Sequence, residues 1–199
     1  MSKGNATRER IIDQALRTAS RDGLNGLSIG SLATDLGLSK SGLFAHFGSK
    51  DELQVEVLRT AGERYRIQVM EDAFKSPRGQ PRIERWFQNW MRWQQNPGMP
   101  GGCVFVTAAV ELDDQSGPAH DFLVAGQKSL ADALVTAAKQ AVDEGHFRSN
   151  LDCNQFAFEM WGILLAYNHA ARLLHSPAAT ALANTAFGRL IASSQSSRA

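Results

Sequence analysis

Apolar residues recur three and four positions apart along almost the whole chain, and alternation of apolar with polar neighbours is nearly absent. That period predicts an all-α chain. Ile12, Ala15, Leu16 and Ala19 line one face of a first helix, which Gly23 ends because glycine takes the left-handed cap without a Cβ penalty. Ser28 is a good N-cap for a second helix that turns Leu32 and Leu36 inward and stops at Gly37. Ser39 caps a short third helix with Leu43 and Phe47 on its inner side. In Ser49-Lys50-Asp51-Glu52 the serine and glutamate side chains are spaced to satisfy each other's backbone amides, a capping box that launches a longer helix through Leu53, Val57 and Tyr65 to Phe74.

Glycine, proline and small polar residues punctuate the chain at 76–81, 96–102, 113–118, 145–150 and 176–177, framing helices over 83–95, 103–112, 118–145, 152–175 and 177–193. Pro118 and Pro177 suit first helical turns, where a missing amide hydrogen costs nothing. Asp152 and Gln155 form a further capping pair. The polar end SSQSSRA, residues 193–199, is expected to fray.

Composition narrows the picture. With 199 residues, 43% hydrophobic and 21% charged, the chain has enough apolar material for a packed core and is not a disordered tail. The net charge of +1 excludes a chain-wide polyanion coat, yet residues 1–50 hold seven Lys/Arg against four Asp/Glu, a local +3, while the rest is −2. No stretch is long and apolar enough for a bilayer, and the opening MSKGNATRER has no apolar leader segment, so a cytoplasmic location is expected. Cys103 and Cys153 are too few for a disulfide framework and are not spaced as a zinc site, so both are read as reduced and no metal or cofactor is expected. Walker, GxGxxG, HExxH and GxSxG motifs are absent; the carboxylates Glu111, Asp113 and Asp114 adjoin a loop and are read as solvated, so the chain is not expected to be an enzyme.

The chemistry concentrates at 28–53. Two short helices joined by a glycine turn, the second capped by Ser39, match the helix-turn-helix arrangement that places a helix end in the major groove of DNA, and Ala33 is small enough for the helix crossing. Lys40, Ser41, Phe44 and His46 fall on the outer side of the second of these helices, and Lys50 opens the next one, where a cation and free amides together favour a phosphate.

SIGSLATDLGLSKSGLFAHFGSKDEL, residues 28–53, with Ile12, Ala15 and Gly23 before it, closely resembles the N-terminal signature of the TetR family of transcriptional regulators. The resemblance implies a helix-turn-helix DNA-binding domain over 1–53 and a helical effector-binding and dimerisation domain over 54–199, acting as a ligand-responsive repressor on a palindromic operator. It assigns DNA contact to Ser28, Ser39, Lys40, Ser41, Gly42 and Phe44, and phosphate contact to His46 and Lys50. Phe44 stands where the family more often has tyrosine, so a phosphate-binding hydroxyl is missing there; Ser28 replaces the usual threonine and keeps its hydroxyl. A DNA-binding factor without effector control, or an activator, are the competing readings.

The resemblance also implies a homodimer, because two recognition helices must reach successive major grooves about 34–36 Å apart. It puts the contact in the long helices 118–145 and 152–175. In the latter Gly162, Ala166 and Ala170 recur four apart beside Leu165 and Leu173, a stripe that permits close helix approach. Trp86, Phe87, Trp90 and Trp93 crowd one helix, and with Phe105, Phe122, Phe158 and Trp161 they are expected to line an apolar chamber for a small, mainly apolar or aromatic effector. Tyr167, Asn168, His169 and Gln127 are the candidate polar anchors.

Overall fold

The computed structural model describes residues 3–196, and among them every regular element is a helix. In chain order the helices are α1 (Lys3–Asp22), α2 (Ile29–Leu36), α3 (Lys40–Phe47), α4 (Lys50–Tyr65), α5 (Gln80–Trp93), α6 (Val104–Leu112), α7 (Pro118–Asp143), α8 (Cys153–Arg172) and α9 (Ala179–Ser194). Among the described residues the only β-type pairing is the isolated bridge between Phe147 and Gln195. The all-α expectation holds, and most breaks fall where glycine and proline put them.

Two compact units are present, one formed by 1–65 with 94–126 and the other by 66–93 with 127–199. In the first, α1 packs on α2, α4 and α6, and α3 packs on α2 and α4. Ile11, Leu16, Leu43, Leu53, Val57 and Leu58 form its core, each 1% exposed or less. Thus the segment that carries α6 belongs, by packing, with the N-terminal helices. Phe105 meets Tyr65 edge-on at 6.3 Å, and the Arg59 guanidinium lies 5.8 Å over the Phe122 ring.

The second unit is built around the aromatic helix α5. Phe87 stacks face to face on Phe187 of α9, with ring centroids 3.9 Å apart and planes within 2°. Trp90 meets Tyr167 of α8 edge-on at 6.2 Å, and Phe74 does the same to Trp86. After Tyr65 the chain passes into a π-helical segment, Arg66–Glu71, and a last α-turn, Asp72–Phe74. A wider helical turn displaces carbonyls from the usual ladder. Asn89, buried on α5, answers this by donating to the Val69 carbonyl at 3.0 Å and to the Asp72 carboxylate at 3.1 Å, with Arg85 also donating to Asp72 at 2.7 Å.

Two local expectations need correction. Ser49 Oγ accepts the Glu52 amide at 3.1 Å, but the Ser49 amide donates to the Phe47 carbonyl at 2.7 Å, so only half of the capping box forms. The C-terminal stretch does not fray through residue 196. Ser193 and Ser194 end α9, the Ser194 carbonyl accepts the Arg148 amide at 2.9 Å, and the Ser196 amide donates to the His146 carbonyl at 3.3 Å. Ser197, Arg198 and Ala199 lie outside the described residues.

Replacing Phe87 with Ala removes a ring packed on all sides and is expected to cost about 3–5 kcal/mol, read as a lower denaturant midpoint. Val110→Ala, at a position 73% exposed on α6, should stay within about 0.5 kcal/mol and serves as the control.

Candidate nucleic-acid interface

The region 22–53 is shaped by capping. Ser28 Oγ accepts the Ser31 amide at 3.4 Å to open α2, and Gly37 closes it at φ 66°, a left-handed turn that a Cβ would strain. The Leu38 amide then returns to the Ala33 carbonyl at 2.8 Å. Ser39 Oγ accepts the Gly42 amide at 3.0 Å and starts α3. Both ends of two eight-residue helices are therefore fixed by side chains and turns within a few residues of each other.

Leu43 and Phe47 turn inward and are buried, which leaves Lys40, Ser41, Gly42, Phe44 and Ala45 exposed on the outer side of α3. Phe47 is held from the other side by Arg8 of α1, whose guanidinium lies 5.1 Å over the ring. The same guanidinium bonds Glu56 of α4 at 3.0 Å, and Arg59 bonds Glu56 at 2.8 Å. The Arg8 hydrogen bond holds the Glu56 carboxyl below the usual range, against the burial that pushes it up. One arginine thereby ties α1, α3 and α4 together.

The turn between α1 and α2 is pinned through several of its polar backbone groups. Glu111 of α6 accepts the Leu24 amide at 2.6 Å, Gln54 donates to the Leu24 carbonyl at 2.9 Å, and Lys50 Nζ donates to the Asn25 carbonyl at 2.9 Å. Glu111 is thus not the solvated carboxylate expected from its neighbourhood in the chain. Its partner is 87 residues away. Gly23, at φ 79°, makes room for it: a Cβ there would lie 1.9 Å from Glu111 Oε1. Asp113 and Asp114 are exposed, as expected.

These constraints open a groove of about 860 Å³ between the start of α2 and the outer side of α3. Ser28, Lys40, Ser41, Phe44 and Lys50 border it, so five of the eight residues read as DNA contacts share one surface. The Lys40 stem lies across Gly30, where a Cβ would come within 3.0 Å of its Cε, and this carries the lysine to the N-terminal end of α2. Two cations beside a positively polarised helix end make a place where an anion is favoured. Ser39 and Gly42 sit in the cap of α3, and half-buried His46 borders a separate, more polar concavity with Arg8 and Glu56.

The aromatic residues assigned to an effector chamber divide. Trp86, Phe87, Trp90 and Trp93 are buried in the second unit, and Trp161 is half-buried there. Phe105 and Phe122 are half-buried in the first unit. Phe158 is 73% exposed and does not line an interior, because its position on α8 falls on the outward face. Tyr167 turns inward to Trp90, Asn168 and Gln127 are half-buried, and His169 is exposed.

On α8, Gly162 and Ala166 are exposed and Ala170 is half-buried; they floor an open groove of about 720 Å³ against α9. Leu165, Leu173 and Leu182 around this face are 40%, 67% and 62% exposed. Among the described residues no group of three or more His, Cys, Asp or Glu is placed to hold a metal ion, and no helix is long and apolar enough to cross a membrane.

Residues 11–57 match the family described as bacterial regulatory proteins, tetR family, and residues 79–187 match the tetracyclin repressor-like C-terminal domain. No curated protein matches the chain in sequence. Its fold is similar to that of a TetR transcriptional regulator from Chloroflexus aurantiacus, with 24% identity, a TM-score of 0.84 and 96% of each chain covered. A TetR-family regulator from Agrobacterium tumefaciens is 15% identical, with a TM-score of 0.85 over 98% of this chain and 100% of that one. The ketosteroid transcriptional regulator of Mycobacterium tuberculosis is 18% identical, with a TM-score of 0.72 over 97% of both.

Replacing Glu56 with Gln is expected to lower stability at neutral pH. A carboxyl held below its unfolded value stabilises the fold above that value and loses its contribution as pH falls. The gap between wild type and Glu56→Gln in denaturant melts should therefore be full at pH 7 and shrink as pH falls below the unfolded glutamate value of about 4.3. A gap constant with pH would show that the Arg8 and Arg59 pairs do not hold the head together.

Proposed function

Because the chain belongs to the TetR family of bacterial transcriptional regulators, we propose that it is a cytoplasmic, homodimeric repressor that binds a palindromic operator and is released by a small, mainly apolar or aromatic effector. The observation that carries the DNA part is the outer side of α3. An eight-residue helix capped by Ser39 presents Lys40, Ser41, Gly42 and Phe44 to solvent, beside a groove flanked by a second lysine. Lys40 and Lys50 supply phosphate contacts that set register, and the exposed side of α3 meets base edges. In functional terms residues 1–53 are the reading head, and 54–199 carry dimerisation and effector response.

The outward face of α8 supports the dimer. Apolar side chains at Phe158, Leu165, Leu173 and Leu182 stand in water beside a floor of small residues, and an exposed apolar patch of this kind marks an interaction surface. The effector reading rests on the aromatic side chains Trp86, Trp90 and Trp93, which are buried together in the second unit. Effector and operator then weaken each other's binding by the same factor, as linkage requires.

Lys50→Ala should weaken binding to all duplexes alike and reduce the slope of log affinity against log salt by about 0.9 for each phosphate that the lysine neutralises. An unchanged slope in an anisotropy titration removes Lys50 from the interface. Ala166→Glu should halve the sedimenting mass and weaken operator binding by far more than one head's share, since the second head no longer arrives tethered. An unchanged dimer would place the interface elsewhere.

A further inference from the structure

Phe44 is 51% exposed at the middle of the outer side of α3, three residues after Ser41 and four after Lys40. It is not a displaced core residue, because Leu43 and Phe47 already fill the inner side of the same helix at 0% and 4% exposure. A phenyl ring neither donates nor accepts, so it gives nothing to a phosphate oxygen or to the polar edges of the bases. In the major groove one apolar group projects from a base edge, the C5-methyl of thymine. Phe44 borders the same groove as Lys40 and Lys50, the two residues proposed above to hold the duplex backbone.

We propose that Phe44 selects thymine in each operator half-site by burying its C5-methyl against the ring. This deepens the operator reading above and rests on it. The polar and charged residues of the groove set affinity and register; the ring supplies discrimination at one base pair, and no hydroxyl competes for the neighbouring phosphate.

The test starts from duplexes selected by the full-length protein from a random pool. Each symmetric pair of thymines in the selected site is replaced in turn by deoxyuridine, which keeps the base pair and removes only the methyl. Affinity is read by fluorescence anisotropy at fixed salt. At one pair the wild type should lose about fourfold per half-site, or about fifteenfold for the symmetric site, the equilibrium counterpart of one buried methyl-sized group. Phe44→Ala should bind thymine and uracil duplexes equally, while Phe44→Leu, still apolar, should keep a ratio above one. A selected site whose uracil scan is flat, or an undiminished thymine preference in Phe44→Ala, overturns this proposal alone. Selection of no duplex at all overturns it together with the operator reading.

Discussion

The head depends on an eight-residue helix whose orientation comes almost entirely from what lies behind it. Isolated helices shorter than about 12–15 residues are marginal in water, so α3 does not hold its shape by propensity. Its order comes from the Ser39 cap at one end and from Leu43 and Phe47, buried against α2 and α4. Arg8 completes this support by covering the Phe47 ring while paired to Glu56. The outer side of α3 is free to carry Lys40, Ser41 and Phe44 because the inner side bears the whole burden of folding.

The same reasoning applies one step further back. The turn between α1 and α2 would be an irregular loop with exposed amides, yet its Leu24 amide and carbonyl are both occupied by side chains from other helices. Ser20 Oγ, at the end of α1, also accepts the Gly101 amide at 3.2 Å. The loop before α6 is thereby fastened to the end of α1, and α6 itself to the turn from which α2 starts. This gives the compact unit of 1–65 with 94–126 a physical meaning: the groove beside α3 and helix α6 belong to one body.

Much of this is legible in the chain. Ser28, Gly37 and Ser39 each act over a few residues, and capping chemistry of that range is written in sequence. The inward placement of Leu43 and Phe47 follows from the helical period alone. Glu111 escapes such a reading because its partner is 87 residues away, and nothing in a short window distinguishes it from Asp113 and Asp114. Arg8, Gln54 and Asn89 escape it for the same reason. Asn89 bonds a carbonyl of the π-helical turn, and no residue pattern between 66 and 71 announces such a turn. Phe158 lies on the opposite side from the one expected because periodicity tells which residues share a face of α8 but not whether that face is the inner one.

Charge and apolar contact divide the work at the proposed interface in a way the net charge conceals. At physiological salt the Debye length is about 8 Å, so a phosphate on the α3 side responds to the head and not to the whole chain. Counted over the head, 1–53, seven Lys/Arg stand against six Asp/Glu, again a net +1, so the relevant charges are the individual ones beside the groove, Lys40 and Lys50. The head's cations are partly spent within the protein. Arg8 is bonded to Glu56, and Lys50 Nζ uses one donor on the Asn25 carbonyl. Charge of this kind favours duplex DNA in general without choosing among sites. Preference for one site over the many others then rests on short-range contacts to bases, and on the outer side of α3 the largest group able to make one is the ring of Phe44.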